Sequence, residues 1–141
     1  MRSVDRLFAR YGEFHRNRTN KAIHWVCVPL IVWSALGILW WASPLLTYAV
    51  VAMAMAFYVW LSRRIALGML LMLAAMIYSL MLLQERVLMV SIAVFVIAWI
   101  GQFIGHAIEG RKPAFFEDVR SLLVGPAWVL GDLYRRWGIA Y

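Results

Sequence analysis

Cysteine and charge are both scarce in this chain of 141 residues, and each shortage excludes a class of protein. The single cysteine, Cys27, excludes a disulfide framework and any zinc site built from several thiolates. Only 15% of the residues are charged, whereas 65% are hydrophobic and the mean hydropathy is +0.76. A soluble domain is about half apolar, and a disordered chain is poorer still in apolar residues. The composition therefore indicates a small integral membrane protein, and the length predicts one domain over residues 1–141.

Acidic residues are also few, with 7 Asp and Glu against 14 Lys and Arg, which gives a formal net charge of +7. On a soluble chain such an excess would suggest a nucleic-acid partner. Here the basic residues flank apolar runs, so membrane lipid is the expected partner and nucleic acid is not.

Long uncharged runs are what the sequence has in abundance. A helix that crosses a bilayer needs about 20 mostly apolar residues. Four segments meet this requirement, at about 23–42, 45–61, 65–83 and 87–108. The connections between them are short, so consecutive helices are expected to be antiparallel neighbours. The sequence thus predicts an all-α fold, an integral membrane bundle of four transmembrane helices.

The basic residues predict how this bundle is oriented. With the N-terminus inside, 13 of the 14 Lys and Arg residues fall on the inner side and only Arg86 falls on the outer side. This asymmetry follows the positive-inside rule. Both termini are therefore expected in the cytoplasm, whether the membrane is a bacterial inner membrane or the endoplasmic reticulum.

Two amphipathic segments flank the predicted bundle. Residues 3–16 repeat apolar side chains at helical spacing, which predicts an N-terminal amphipathic helix. A second apolar stripe near the C-terminus has its core at residues 121–131, which is too short to span a bilayer. We expect a re-entrant or interfacial helix there, with Trp128, Tyr134 and Trp137 at headgroup level.

The chain has three histidines, His15, His24 and His106, and the predicted topology places all three at one membrane face. A lone histidine in a membrane protein is usually a satisfied or interfacial polar residue, but intramembrane ionisable residues also mark functional sites. His15 and His24 are nine residues apart, which on one straight helix means opposite faces. The run Asn17-Arg18-Thr19-Asn20 contains helix N-cap residues, and a break there would let His15 bend back toward His24.

Glu109 follows His106 at i+3, so the two side chains share one helix face. The glutamate can ligate a metal or orient a ligating histidine, and a simple hydrogen bond at the helix end is the alternative. Three converging imidazoles would suit iron, zinc, copper or nickel by ligand type. Just before His106, Gly101 and Gly105 form a G-x-x-x-G motif, which predicts close helix packing beneath the histidine.

Three blocks of sequence resemble a known family. They are H-x-N-x-x-N-x-x-I-H-x-x-x-V-P over residues 15–29, W-I-x-Q-F-I-G-H over 99–106 with E-G-R-K-P-A over 109–114, and L-L-V-G-P over 122–126. Together they are similar to the iron(II)-dependent 2-hydroxy fatty acid dioxygenases, a family typified by the yeast enzyme of phytosphingosine breakdown. The resemblance runs from about residue 11 to residue 138, and the middle spans match only in hydropathy.

The resemblance implies a multi-spanning membrane enzyme that uses Fe(II) and molecular oxygen to shorten a 2-hydroxy fatty acid by one carbon, an α-oxidation. The family's motif histidines are thought to hold the iron, and they correspond to His15, His24 and His106. The family pattern has a second histidine directly after the first, whereas this chain has Arg16 there. No fourth imidazole ligand is therefore implied.

The residues and the resemblance together give one hypothesis. The three histidines hold iron near the cytoplasmic face, and Glu109 or water completes the catalytic site. The 2-hydroxy acid binds through its hydroxyl and carboxylate groups, with its acyl chain among the spans. Arg111 and Lys112 either set the topology or pair with the substrate carboxylate. Asn20 either caps the first span or hydrogen-bonds a ligating histidine.

Two other functions stay open on the sequence alone. A non-enzymatic, lipid-binding membrane protein would have interfacial histidines and a basic face for anionic lipid. A haem-binding electron carrier would use two histidines on facing helices as axial ligands.

Overall fold

The structure, a computed structural model, describes residues 2–112 and 121–141. Every regular element in these two ranges is a helix. In chain order the elements are α1 Ser3–Gly12, α2 Arg18–Ala42, α3 Pro44–Leu61, α4 Arg63–Met81, a 3-10 turn Gln84–Arg86, α5 Val87–Glu109 and α6 Ser121–Arg136. Four of them, α2 to α5, are long and apolar enough to cross a membrane. The predicted all-α class with four candidate spans is confirmed.

The starts of the spans differ from the sequence prediction because of their caps. The first span, α2, begins at Arg18 and not at residue 23. The reason is that the Asn17 side chain accepts hydrogen bonds from two backbone N–H groups of its first turn, at 2.9 and 3.3 Å. The serines Ser43 and Ser62 cap α3 and α4 in the same way, so these helices begin one and two residues before the predicted starts. The expectation that Asn20 caps the first span is wrong, because Asn17 holds that position.

The flanking helices also differ from the prediction. Helix α1 ends at Gly12, so His15 lies in the turn before α2 and not in a helix that runs to residue 16. Helix α6 continues to Arg136, five residues beyond the predicted segment. Trp128 is only 4% exposed because it packs against Tyr11 of α1, so its side chain is enclosed by protein and is not an exposed interfacial residue. Trp137 is exposed, as an interfacial residue would be.

Small residues let α5 lie directly against α2. A Cβ atom placed on Gly101 would lie 2.7 Å from the Sγ of Cys27, and one placed on Gly105 would lie 2.4 Å from the Oδ1 of Asn20. Neither position has room for a side chain, which confirms the close packing predicted from the G-x-x-x-G motif. This contact fixes the start of α2 against the end of α5.

One end of the bundle is covered by α1 and α6. At this end the Tyr58 hydroxyl of α3 donates a hydrogen bond to the Leu123 carbonyl of α6, at 2.8 Å. The Tyr134 hydroxyl of α6 in turn donates to the Arg64 carbonyl of α4, at 2.7 Å. These two hydrogen bonds hold α6 against the end of α3 and the start of α4, so α6 packs against the bundle.

We expect Gly105→Ala to destabilise the protein. The new methyl group would meet the Asn20 side chain, which is fully buried and donates a hydrogen bond to the Phe14 carbonyl at 3.2 Å, so it has little freedom to move. Overpacking of this kind costs about 1–3 kcal/mol, and the melting temperature in detergent should fall by several degrees. The control is Gly12→Ala, where the nearest atom lies 3.9 Å away and no loss is expected. Equal melting of Gly105→Ala and the wild type would contradict this packing.

Candidate metal centre

The three histidines converge where α1, α2 and α5 meet, and we call this group the histidine centre. His15 lies in the turn after α1, His24 in the second turn of α2, and His106 in the last turn of α5. Their ring centroids are 3.8 to 5.1 Å apart, and one ring nitrogen of each lies within 4.8 Å of the others. All three are buried, at 1% to 3% exposure. The structure contains the bend that brings His15 back to His24.

The orientation of His15 is fixed by its neighbours. Its Nδ1–H donates to the Tyr11 carbonyl at 2.8 Å, and its ring stacks on the Tyr11 ring with the centroids 4.4 Å apart. On α6, the Trp128 ring centroid lies 5.3 Å away. Because the Nδ1 proton is used in this way, the Nε2 lone pair is available to a metal. Burial lowers the pKa of His15 to about 4, so the imidazole is neutral at pH 7.

The buried nitrogens of the centre fit a metal ion. The Nε2 of His15 lies 2.8 Å from the Nε2 of His24, and the Gln102 amide nitrogen lies 3.2 Å from that same His24 atom. Within the described ranges, the Nδ1 atoms of His24 and His106 and the Oε1 of Gln102 are buried without a hydrogen-bond partner. Unpaired buried polar atoms cost about 1–3 kcal/mol each. Three imidazoles without a thiolate are a donor set that suits iron, zinc, copper or nickel.

Glu109 contacts the backbone of the turn that carries His15. Its two carboxylate oxygens accept hydrogen bonds from the backbone N–H groups of Arg16 and Asn17, each at 2.7 Å. These residues connect His15 to α2, so the carboxylate fastens the turn to the end of α5. Of the roles that the sequence left open for Glu109, a metal ligand, an orienting residue or a simple hydrogen bond at the helix end, this geometry favours orienting His15 over direct ligation.

The three other residues that the sequence assigns to the site, Asn20, Arg111 and Lys112, have different surroundings. Asn20 is fully buried, and its amide donates to the Phe14 carbonyl. Arg111 is exposed; its guanidinium lies 4.2 Å from the Phe14 ring centroid and donates to the Glu13 carbonyl at 3.3 Å. Lys112 is exposed as well. The structure therefore brings Arg111 to the His15 turn, while Asn20 is enclosed beneath that turn.

Three side chains beside the histidines are absent from the sequence-based set: Tyr11, Gln102 and Trp128. Helical periodicity assigns Tyr11 to an amphipathic stripe, and the preference of aromatic residues for the membrane interface assigns Trp128 there. Neither of these two patterns indicates the histidine centre. Gln102 is the only amide side chain in the fourth span. An amide side chain in such an apolar run is the signal that could have found it.

A small cavity of about 50 Å³ adjoins His24 and His106, and we call it the apolar recess. Its apolar lining comes from α2, α5 and α6 and consists of Val28, Ile31, Val32, Trp99, Leu122 and Pro126. Gln102 also lines it, and the exposure of Leu122 places one edge of the recess at the bundle surface. The centre thus combines buried nitrogen ligands with an apolar space beside them.

Comparison with known proteins identifies the family. A family model described as "Mpo1-like: 2-hydroxy-palmitic acid dioxygenase Mpo1-like" matches residues 1–137. The chain is also 30% identical over 139 residues to the 2-hydroxy-palmitic acid dioxygenase MPO1 of Saccharomyces cerevisiae, an alignment that covers 91% of this chain and 78% of that protein. No solved structure matches the chain. The chain, with its buried histidine centre, belongs to the Mpo1-like family.

Proposed function

We propose that this protein is a non-haem, iron(II)-dependent dioxygenase that shortens 2-hydroxy fatty acids by one carbon. The observation that carries the proposal is the convergence of three buried histidines beside an apolar recess. Membership of the Mpo1-like family supports the reaction class, and the name of the yeast relative supports a 2-hydroxy acid as substrate. With oxygen as the oxidant, R–CH(OH)–COOH + O₂ gives R–COOH + CO₂ + H₂O, which balances every atom.

The histidine centre would hold the iron, and bound iron(II) would supply the oxygen chemistry. The 2-hydroxy acid would present its hydroxyl and carboxylate to the centre and the nearest part of its chain to the apolar recess. Gln102 contacts His24 of the histidine centre and also lines the apolar recess. Its Oε1 has no hydrogen-bond partner in the described part of the chain, so this oxygen would accept a hydrogen bond from the substrate hydroxyl. Tyr11 and Trp128 exclude water from His15.

Two groups of polar residues would act from outside this centre. Arg111, which lies over Phe14 beside the His15 turn, would pair with the substrate carboxylate, and Lys112 would be the neighbouring cation. Asn20 would order the turn through its hydrogen bond to the Phe14 carbonyl. Arg111 would thus act on the substrate and Asn20 on the fold. Both roles are inferred from the contacts that these residues make with the turn that carries His15.

We also propose that the histidine centre lies at the cytoplasmic face, with both termini on the same side. One end of the bundle contains the starts of α2 and α4 and the ends of α3 and α5. Helices α1 and α6 lie at the same end. This arrangement supports the one-sided distribution that the sequence predicts, for the 12 of its 13 inner Lys and Arg residues that the structure describes.

The geometry favours this reading over the two alternatives. Axial haem ligands lie on opposite faces of the macrocycle, whereas the Nε2 atoms of His15 and His24 are only 2.8 Å apart. A lipid-binding protein with interfacial histidines would expose them, whereas all three are at most 3% exposed.

Oxygen uptake separates the proposed substrate from its close analogues. The protein is purified in detergent without oxygen, reloaded with iron(II), and given 2-hydroxyhexadecanoate, 3-hydroxyhexadecanoate or hexadecanoate. We expect uptake with the 2-hydroxy acid alone, and only when iron is present, because only that acid carries its hydroxyl on the carbon whose bond to the carboxylate is broken. Equal uptake with the 3-hydroxy acid or with hexadecanoate would contradict the proposed function.

Glu109→Gln should weaken iron binding without abolishing it. The amide offers one carbonyl oxygen where the carboxylate accepts two backbone hydrogen bonds, so the His15 turn loses one of its fastenings. Losses of this indirect kind cost about 10-fold to 100-fold in metal affinity. Competition against a chelator measures the affinity, and Glu13→Gln, an exposed acid in the same region, is the control. Complete loss of iron from Glu109→Gln would instead identify Glu109 as a ligand.

A further inference from the structure

A second recess, lined mainly by charged residues, lies between the start of α2 and the end of α6. We call it the basic groove. It has a volume of about 490 Å³ and is lined by Arg18, Lys21, Ala22, Trp25 and Arg136. The four α2 residues recur at helical spacing, so they form one stripe along that helix. The basic groove shares no lining residue with the apolar recess beside the histidines.

One wall of the basic groove is built around Asp132. The Trp25 indole donates to its carboxylate at 2.8 Å, and Arg135 and Arg136 form ion pairs with it at 3.3 and 3.2 Å. Burial raises the pKa of this carboxyl, but the hydrogen bonds from Trp25 and Arg136 and the positive charges of Lys21 and Arg136 together outweigh it and hold the pKa below its usual value. The carboxylate therefore stays charged and holds the indole and the Arg136 guanidinium in place at the groove.

The basic groove carries excess positive charge. Asp132 is offset by its two arginines, whereas Arg18 and Lys21 form no ion pair with any residue in the described ranges. The Lys21 ammonium lies 5.6 Å from the Trp128 ring centroid, which is a cation–π distance. Lys21 acts on Asp132 only at longer range, so the groove has more cations than this one carboxylate offsets, and the excess favours an anionic ligand.

The position of the groove indicates which anion it takes. Arg18 and Trp25 are seven residues apart on α2, about 10 Å along the helix axis, which is comparable to the headgroup layer of roughly 5–8 Å on each side of a bilayer. Arg18 and Lys21 lie toward the start of α2, and Trp25 lies one to two turns further along the helix, where the Arg136 guanidinium is 5.5 Å from its ring centroid. Below them α2 presents an exposed apolar surface that includes Val26, 62% exposed, and Leu30, 40% exposed.

We propose that the basic groove binds the phosphate of an anionic phospholipid headgroup, with the lipid chains along the exposed face of α2. Arginine matches phosphate geometry through its planar fork, and basic pockets between transmembrane helices are known to take lipid phosphates. A free phosphate would meet the same cations, but it would leave the apolar surface below them without a ligand. The site is separate from the proposed iron chemistry.

Native mass spectrometry of the full chain in detergent tests this proposal with phosphatidylglycerol, phosphatidylcholine and inorganic phosphate as the three probes. We expect one phosphatidylglycerol per chain, bound at least tenfold more tightly than phosphatidylcholine. The double variant Arg18→Gln/Lys21→Gln should lose this preference by tenfold or more. The control Arg10→Gln/Arg63→Gln removes the same charge from exposed positions outside the groove and should bind within twofold of the wild type.

Three results would overturn the proposal. Equal loss in both double variants would mean that net charge, and not the groove, attracts the lipid. Unchanged binding in Arg18→Gln/Lys21→Gln would place the lipid elsewhere. Inorganic phosphate that binds as tightly as phosphatidylglycerol would assign the groove to a soluble anion. An unchanged melting temperature in each double variant would show that the fold is intact.

Discussion

Alanine at any one of His15, His24 and His106 should abolish iron retention and lower turnover by more than 100-fold. Each substitution removes one of three nitrogen donors that lie within 4.8 Å of one another. Changes that only disturb the support of a metal ligand already cost about 10-fold to 100-fold, so the loss of a ligand should cost more. Metal analysis of the purified variants and the oxygen-uptake assay measure the two effects.

The thermal shift on adding iron separates a lost ligand from a damaged fold. A metal that binds only the folded state stabilises it by about 2.7 kcal/mol at a concentration 100 times its Kd. Iron should therefore raise the melting temperature of the wild type and leave that of each histidine variant unchanged. Cys27→Ala is the control, because Cys27 lies one turn from His24 and should keep the shift. Full iron content and activity in two of the three variants would show that the centre is wrongly assigned.

Filling the apolar recess should change the preference for chain length. Ile31→Trp puts a larger side chain into a cavity of about 50 Å³, where the first carbons of the acyl chain would lie. Each methylene that is denied burial costs about 0.8 kcal/mol, so two of them lower kcat/KM about 15-fold. We expect this loss with 2-hydroxyhexadecanoate and little loss with 2-hydroxypropanoate, whose chain is a single methyl group, and we expect full iron content.

The adjacent residue provides the control for this substitution. Leu30 is exposed on α2 and does not line the recess, so Leu30→Trp adds the same bulk outside it. Its kcat/KM should stay within twofold of the wild type for both acids. An equal loss for the short and the long acid in Ile31→Trp would mean that the recess does not hold the chain.

The spans could be predicted from the sequence because bilayer thickness fixes the length of an apolar run. Their starts could not, because N-caps depend on which polar side chain turns back to the backbone. Asn17 and Asn20 are both suitable caps by residue type, and the structure selects Asn17. Asn20 instead lies enclosed against Gly105, a contact that only the close approach of two helices creates.

The centre was predictable in part for a similar reason. Topology alone places the three histidines at one end of the bundle, and the cap residues indicate the turn that joins two of them. The sequence could not decide between the possible roles of Glu109. Its hydrogen-bond partners are backbone N–H groups, and every residue except proline has one, so no sequence pattern indicates them. Trp128 was assigned to the interface because an aromatic residue near a membrane face usually lies there, and only the packing of α1 on α6 shows that it is buried.

Helix α2 connects the two proposed sites. One face carries His24 into the histidine centre, and the neighbouring stripe carries Lys21 and Trp25 into the basic groove. The cap at Asn17 fixes the start of this helix, so it sets the position of both. The lipid experiment and the iron experiment use different variants, and either proposal can fail without the other.

The mass of the product tests the central claim most directly. The protein is purified in detergent without oxygen, reloaded with iron(II), and supplied with 2-hydroxyhexadecanoate and oxygen. We predict pentadecanoate, one carbon shorter, which should be absent without iron, absent in His106→Ala, and absent when hexadecanoate replaces the hydroxy acid. Tightly bound iron with no shortened acid would contradict the proposed reaction, and iron that fails to bind at all would contradict the histidine centre itself.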